Sequence, residues 1–239
     1  MKKTLISIGV ISVIATSCNS SSNSNKTDGN IKFPESIALN GVKQNPEGIE
    51  FNKNDHTFLL SSLNAIPIIK VNLDGTFVPF TSGEAYPVST AGLQIDYKNN
   101  RLLVAGFNGM ELYDQDPETK GMSALRIYNL ETGVIEKDIN LSSLVPDAPA
   151  YFANDVAADD QGNSYISDWY AGVVYKVDMG GNASVFWKNE IGIASGANGL
   201  DFHTDGYLLV SLVSVGKTGL YENYGLVKIP TDDAKLASI

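Results

Sequence analysis

One stretch of the chain decides its fold: residues 154–188 read NDVAADDQGNSYISDWYAGVVYKVDMGGNASVFWK. It contains short β-rich runs at 155–159, 164–167, 174–178 and 183–188. The residues between these runs are rich in Asn, Asp and Gly, which tolerate the positive φ angles of tight turns. The third run alternates apolar and polar residues, as a strand with one buried face does. This stretch therefore predicts one unit of four short strands.

The same order of strands and turns recurs three more times. The units open at Gly48, Gly92, Asp155 and Gly199, so their first residues are 44, 63 and 44 positions apart. Four-stranded repeats of roughly 40 to 50 residues are typical of β-propeller blades. A β-sandwich is the alternative, but a sandwich has no reason to repeat one strand order four times. We predict an all-β fold, a β-propeller of four-stranded blades with four visible blades, at about 46–90, 91–150, 151–196 and 197–239 within a domain of residues 31–239.

The first residues have the features of an export signal. Lys2 and Lys3 precede an apolar run at 5–15, and small residues lead directly to Cys18. This ending resembles the bacterial lipoprotein box, which implies a signal peptide at 1–17 and a lipid anchor on Cys18. The Asn- and Ser-rich residues 18–30 are then a flexible linker. The expected location is the cell envelope, on the periplasmic or cell-surface side; the alternative is an ordinary secretory peptide that leaves a free thiol.

Composition excludes several classes of protein. The chain of 239 residues has 17 Lys and Arg against 27 Asp and Glu, for a formal charge of −10. An acidic chain without a basic cluster disfavours nucleic acid and anionic lipid surfaces as partners, so we expect contact with a membrane through the anchor only. The single cysteine cannot form an internal disulfide. No GxSxG, HExxH or GxGxxG motif is present.

Propeller geometry brings the residues that precede each first strand to one mouth of the central channel. Those residues are Glu47, Ala91, Asn154 and Asn198. Three of the four carry oxygen ligands, which hard cations prefer. We therefore predict one divalent cation, Ca²⁺, Zn²⁺ or Mn²⁺, held by Glu47, Asn154 and Asn198. The alternative is that these side chains only satisfy backbone groups of turns.

The loops between second and third strands open on the same face. Asp168 and Trp169 lie in one of them, and Tyr113 lies in the long insertion at 106–124. We predict that these three residues contact a small-molecule substrate, since loops on a rigid scaffold commonly carry binding residues. The insertion is alternatively a plain solvated loop. His56 and His203 fall in turns on the opposite face and are poor catalytic candidates.

Three motifs resemble those of the senescence marker protein/gluconolactonase family, also called regucalcin-like: Pro-Glu-Gly at 46–48, Phe-Ala-Asn-Asp-Val at 152–156 and Asn-Gly-Leu-Asp at 198–201. The resemblance covers roughly residues 31–239. It implies a six-bladed propeller with one axial divalent cation that hydrolyses sugar or aryl lactones. It also implies that Glu47 and Asn198 are metal ligands and that Asn154 binds metal or substrate. Such a cation polarises a lactone carbonyl for attack by water.

The chain departs from the family pattern in one respect. The family's further aspartate, which serves as ligand and probable base in a later blade, has no counterpart here, so the catalytic residue is unknown. We expect two blades to be absent, in a fragment, a truncated gene or an assembly that closes with another subunit by self-association through open sheet edges. The alternative is a self-contained propeller of four blades. Residues 35–39 are expected to form a closing strand. The competing functions are a non-catalytic binding or scaffold propeller and an inactive family member.

Overall fold

The computed structural model describes residues 31–40, 45–63, 68–81, 89–108, 121–190, 196–215 and 221–238, with side chains of 215 and 221–224 excepted. The chain divides into two compact units, Met1–Phe33 and Pro34–Ile239. The described residues of the first unit, 31–33, have no regular secondary structure. The fifteen strands described below all belong to the second unit. Within the described residues, no helix combines the length and the apolar character that crossing a membrane requires.

Among the described residues, fifteen strands form four separate sheets, each a meander in which consecutive strands pair antiparallel. Three sheets have four strands and the last has three, with an added antiparallel bridge between Lys228 and Ser238. This confirms the predicted all-β propeller with blade-like sheets. The strands are β1 Pro46–Asn52, β2 Thr57–Ser62, β3 Ile68–Val71, β4 Phe77–Pro79, β5 Ser89–Asp96, β6 Arg101–Asn108, β7 Met122–Asn129, β8 Ile135–Asn140, β9 Ala153–Ala158, β10 Ser164–Asp168, β11 Val173–Val177, β12 Ala183–Lys188, β13 Gly196–His203, β14 Tyr207–Val215 and β15 Tyr221–Pro230.

Aspartates at the ends of strands build the turns. Asp159 accepts hydrogen bonds from the backbone N–H groups of Gln161 and Asn163, and Gly162 between them adopts a φ of 86°. An Asx turn of this kind reverses the chain within four residues, and glycine is the residue that accepts such a φ without strain. The turn residues in the sequence therefore perform the role that their composition predicted.

Burial differs between the middle and the end blades. Every residue of β6 and β10 is buried, because these strands are covered on both faces. In β2 and β14 burial alternates, because the described residues cover only one face of each strand fully. Ile49 and Leu226, on the uncovered faces, expose 65% and 58% of their surface. The first and fourth blades thus each present an apolar face, while the expected self-association stays a prediction.

The expected closing strand at 35–39 was wrong. These residues are not in a strand. Instead, Ile37 and Leu39 lie against the uncovered face of the first blade, where they help to line a groove of about 280 Å³ with Phe58 and Leu60. Ile37 and Leu39 are half-buried there, so the segment removes part of its apolar surface from water by lying on a sheet face.

Candidate functional site

Each innermost strand contains a β-bulge at the same place. The pairing register shifts between Pro46 and Ile49 in β1, between Thr90 and Leu93 in β5, and between Ala197 and Leu200 in β13. In β9 the extra residue is Asn154, between the paired Ala153 and Asp155. Bulges redirect side chains and commonly occur beside functional sites. The four bulges contain the four channel-mouth positions predicted from the sequence: Glu47, Ala91, Asn154 and Asn198.

A serine on the second strand supports three of the bulges. The Ser61 hydroxyl accepts a hydrogen bond from the backbone N–H of Gly48 at 2.7 Å. Ser167 does the same for Asp155 at 3.1 Å, and it also donates to the carbonyl of Asn198 at 2.5 Å. Ser211 donates to the carbonyl of Gly199 at 3.4 Å. The sequence analysis missed these serines, although they stand at one register position of β2, β10 and β14.

Successive bulges touch one another, and we call this set the bulge arc: residues 47–48, 91–92, 154–155 and 198–199. A Cβ atom on Gly48 would lie 2.7 Å from the Ala91 carbonyl oxygen, and one on Gly92 would lie 2.2 Å from a carboxylate oxygen of Asp155. Ser167 joins the third and fourth bulges through its bond to Asn198. Glu47, Asn154 and Asn198 therefore belong to one continuous arc. Glu47 is exposed, Asn198 is half-buried and Asn154 is buried.

The arc concentrates negative charge. Burial, and then the nearby charge of Asp155, raise the pKa of Glu47 to about 7. Burial also raises the pKa of Glu50 to about 7. This effect is larger than that of a hydrogen bond from the backbone of Ile95, which lowers the pKa. The pKa of Asp155 is raised by burial, although the N–H groups of Leu200 and Val156 bind its carboxylate. Glu47 as a whole residue is exposed to solvent, but protein atoms surround its carboxyl group closely enough to raise the pKa.

The donors of the arc fit a hard cation. They are a carboxylate and amide carbonyls, the oxygen ligands that such ions prefer. In the described part of the chain, no Lys or Arg forms an ion pair with Glu47, Glu50 or Asp155. The same residues contain no group of three His, Cys, Asp or Glu side chains placed to hold a metal. A cation here would thus depend on the two asparagines, and the predicted metal stays a prediction.

The protein without a bound cation should become less stable as the pH rises from 5 to 8. Two folded-state pKa values near 7, above the ordinary 4.5, mean that the folded protein holds protons that the unfolded chain has released. This stabilisation is complete below about pH 4.5 and is lost as the pH passes about 7. Thermal unfolding in EDTA, followed by circular dichroism, measures the trend. A wild-type melting temperature that stays constant or rises between pH 5 and pH 8 would contradict this prediction. An equal fall in the Glu47→Gln/Glu50→Gln variant would also contradict it, because that variant lacks both carboxyl groups.

Asp168 is completely buried, and both oxygens of its carboxylate accept hydrogen bonds. One oxygen accepts the backbone N–H groups of Phe152 at 2.9 Å and Ala171 at 3.0 Å, and the other accepts the hydroxyl of Ser123 at 2.9 Å. The side chain holds the 168–172 loop against the start of β9. Its predicted contact with substrate stays a prediction, but in this structure it has no surface to offer. Tyr113 and Cys18 lie outside the described residues.

Trp169 lies between the third and fourth blades, against Gly196 and Val213. A Cβ atom on Gly196 would be 1.9 Å from its ring, so only glycine allows this packing. Its indole N–H donates to the carbonyl of Val213 at 3.0 Å. Tyr170, which the sequence analysis did not single out, stacks on Trp169 with ring centres 5.0 Å apart. Both rings also contact Phe152, which places aromatic residues beside the bulge arc.

No family model matches the chain, and no curated protein matches it. Several solved structures, however, are similar to this chain. A streptogramin B lyase structure superposes with a TM-score of 0.52 at 11% identity, covering 83% of this chain and 69% of that one. A chain of a nidogen/laminin complex gives 0.51 at 11% identity, covering 76% of this chain and 62% of that one. At such identities the likeness shows the β-propeller fold alone.

A third structure is a structural genomics protein of unknown function from Bacteroides thetaiotaomicron. It superposes with a TM-score of 0.55 at 14% identity, covering 81% of this chain. This chain spans 42% of the length of that protein and 62% of the nidogen/laminin chain. The three structures place the chain among β-propeller proteins, and they leave the narrower regucalcin-like resemblance as a hypothesis.

Proposed function

We propose that the protein is a metal-dependent hydrolase of sugar or aryl lactones, similar to the gluconolactonase family. The observation that carries the proposal is the bulge arc, in which Glu47, Asn154 and Asn198 occupy equivalent bulges of three innermost strands. These are also the residues that match the family motifs. Bulges that hold oxygen donors at one mouth of a propeller offer a cation a preorganised set of ligands.

In this proposal the Glu47 carboxylate and the side-chain carbonyls of Asn154 and Asn198 would hold the cation. When bound, the cation would supply Lewis acidity that polarises a lactone carbonyl. The protein's own residues fix the geometry: Ser61 and Ser167 support the bulges through their hydroxyl groups. Asp155, tied to the N–H of Leu200, adds negative charge that favours a cation. The proposal assigns no catalytic base.

The experiment compares wild type with Glu47→Gln, using Glu131→Gln on the exposed turn after β7 as a matched control. Protein treated with EDTA is titrated with CaCl₂, MnCl₂ and ZnCl₂ in a calorimeter, and lactone hydrolysis is followed by pH indicator. Loss of one carboxylate ligand should weaken cation binding by about tenfold or more and reduce hydrolysis, while the control behaves as wild type. Hydrolysis that survives chelation, or unchanged binding in Glu47→Gln, would contradict the proposal.

The second candidate is a non-catalytic propeller that binds a ligand at the same mouth. It is favoured by Ala91, which places a methyl group in the fourth position of the arc, and by the lack of an assigned base. This candidate predicts a ligand retained after chelation, without turnover of any lactone.

We further propose that the protein is exported and anchored through a lipid on Cys18. The support is the sequence alone: the basic start, the apolar run at 5–15 and the cysteine that follows Ala-Thr-Ser. The intact mass of protein extracted from membranes tests this. A mass that corresponds to an unprocessed or unlipidated chain would overturn it.

A further inference from the structure

The blades pack against one another through two different faces. We call the face turned toward the next blade in the chain the leading face, and the face turned toward the preceding blade the trailing face. The leading face of the first blade, with Leu59 and Ile68, packs against a trailing face of the second blade that includes Leu93 and Val104. The same contact recurs between the second and third blades and between the third and fourth. A leading face therefore meets a trailing face three times within this chain.

Two register positions carry the contact on every leading face. One is the residue of the second strand that pairs with the innermost strand just after the bulge, and the other lies diagonally across on the third strand. On the first three blades both side chains are completely buried; the pairs are Leu59 and Ile68, Leu103 and Leu125, and Tyr165 and Val174. The fourth blade has Leu209 and Leu226 at these positions, through their pairing with Asp201 and Ser211. Leu209 is only half-buried and Leu226 exposes 58% of its surface, so the described part of the chain leaves this leading face open.

The trailing face of the first blade is open in the same way. On the other three blades its central residues form one cross-strand pair that is buried: Leu93 and Val104, Val156 and Ile166, and Leu200 and Val210. The equivalent pair of the first blade is Ile49 and Leu60. Ile49 exposes 65% of its surface and Leu60 is half-buried. Although Ile37 and Leu39 lie on this face, an apolar groove of about 280 Å³ remains beside the pair.

A polar residue on the open leading face also matches the covered ones. Glu50 accepts a hydrogen bond from the backbone N–H of Ile95 in the next blade, and Gln94 accepts one from Ala158 at 2.5 Å. Asp201 has the same place in the fourth blade and is exposed. A side-chain oxygen at this position thus meets a backbone donor of the next blade, and a carboxylate here is compatible with a covered face.

We propose that the leading face of the fourth blade binds the trailing face of the first blade in a second copy of this chain. Leu209 and Leu226 of one copy would lie against Ile49 and Leu60 of the other, as their equivalents do within the chain. The partner is another copy because the two open faces are the two halves of a contact that this chain already makes three times. Burial of their apolar side chains supplies the driving force.

This contact joins different faces of the two copies, so it is heterologous. Such a contact forms a ring where its rotation closes. Two copies with four blades each would supply eight blades, a number within the range of known propellers. The contact needs neither a cation nor a lactone, and it holds or fails apart from the proposed chemistry.

Sedimentation equilibrium of the full chain tests the contact, in a detergent matched to the density of the solvent so that a lipid on Cys18 does not hide the protein mass. Wild type should sediment as two or more copies. Leu226→Asp and Ile49→Asp should each weaken association by about 100-fold, because either places a charge in an apolar contact. Val134→Asp is the matched control, since Val134 exposes 48% of its surface in the turn between β7 and β8, outside both faces. A wild type of single copies, or a control that dissociates like the two variants, would overturn the proposal.

Mixing the two variants separates this contact from one between like faces. Leu226→Asp keeps an intact trailing face and Ile49→Asp an intact leading face, so an equimolar mixture should form a two-copy species that neither variant forms alone. Circular dichroism checks that both variants are folded, as the exposure of both residues predicts, and serine replaces aspartate in any variant that is not. A mixture that stays as single copies overturns the proposal. Dissociation of one variant alone also overturns it, because the contact would then join like faces.

Discussion

Replacing Asp168 with alanine is expected to lower the free energy of unfolding by about 4 kcal/mol. The carboxylate is completely buried and is the acceptor for two backbone N–H groups and one hydroxyl. Alanine would leave these donors in a cavity without partners. Buried donors that lose their acceptor keep the full cost of having left water.

Asparagine at the same position should be tolerated, with a loss below about 1.5 kcal/mol. Both backbone N–H groups bind the same carboxylate oxygen, and the amide oxygen of asparagine can take its place. The amide nitrogen then replaces the oxygen that accepts from Ser123, whose hydroxyl can rotate and become the acceptor. Asparagine also avoids burying a charge, a cost seen in the raised pKa of Asp168.

Urea unfolding of wild type, Asp168→Ala and Asp168→Asn, followed by circular dichroism, measures both effects. The midpoints should fall in the order wild type, asparagine and alanine, with the largest gap before alanine. Equal losses in the two variants would mean that the negative charge, and not the hydrogen-bond acceptor, stabilises the loop.

Gly92→Ala is expected to destabilise the protein by about 3 kcal/mol. A Cβ atom at this bulge would lie 2.2 Å from a carboxylate oxygen of Asp155, 2.6 Å from its Cα and 2.9 Å from the Asn154 carbonyl oxygen. Two of these are backbone atoms of the next blade, so rotation of a side chain cannot remove the clash. The second and third blades would have to separate at the arc.

Gly199→Ala is the matched control, since Gly199 holds the same bulge position in the fourth blade. Its nearest neighbours to an added Cβ are the Ser211 hydroxyl at 3.2 Å and a carboxylate oxygen of Asp155 at 4.0 Å. A hydroxyl can move by the small distance needed, so this variant should lose below about 1 kcal/mol. Thermal unfolding of both variants tests the comparison, and similar losses at the two glycines would show that the second and third blades can adjust.

The repeat of strands was predictable because each strand carries its own pattern. Alternation and turn residues placed all four strands of the third unit within two residues of their observed ends. The innermost strands β9 and β13 start two and three residues earlier than predicted. They continue through a bulge, and a bulge interrupts the alternation on which the prediction depended.

The candidate site was predictable only in part. The equivalent positions of Glu47, Asn154 and Asn198 could be predicted because their place relative to each repeat is the same, while their role as ligands stays a prediction. Ser167, which joins two blades, and Asp155, which spans the second, third and fourth, act through contacts between units. Such contacts depend on how neighbouring sheets pack, and no local pattern of residues reports them. The burial of Asp168 was not predicted for the same reason, since one of its carboxylate oxygens accepts the hydroxyl of Ser123 in the preceding blade.

One bulge in every innermost strand also has a consequence for how such proteins diversify. Each duplicated unit contributes a single side chain to a shared mouth, supported by its own neighbouring strand. A substitution in one copy therefore alters one of the four side chains and leaves the other three in place. Ala91 shows the inert form of this position, while Glu47 shows the charged form. Ligand preference in this architecture can change one copy at a time, without a new fold and without rebuilding the rest of the mouth.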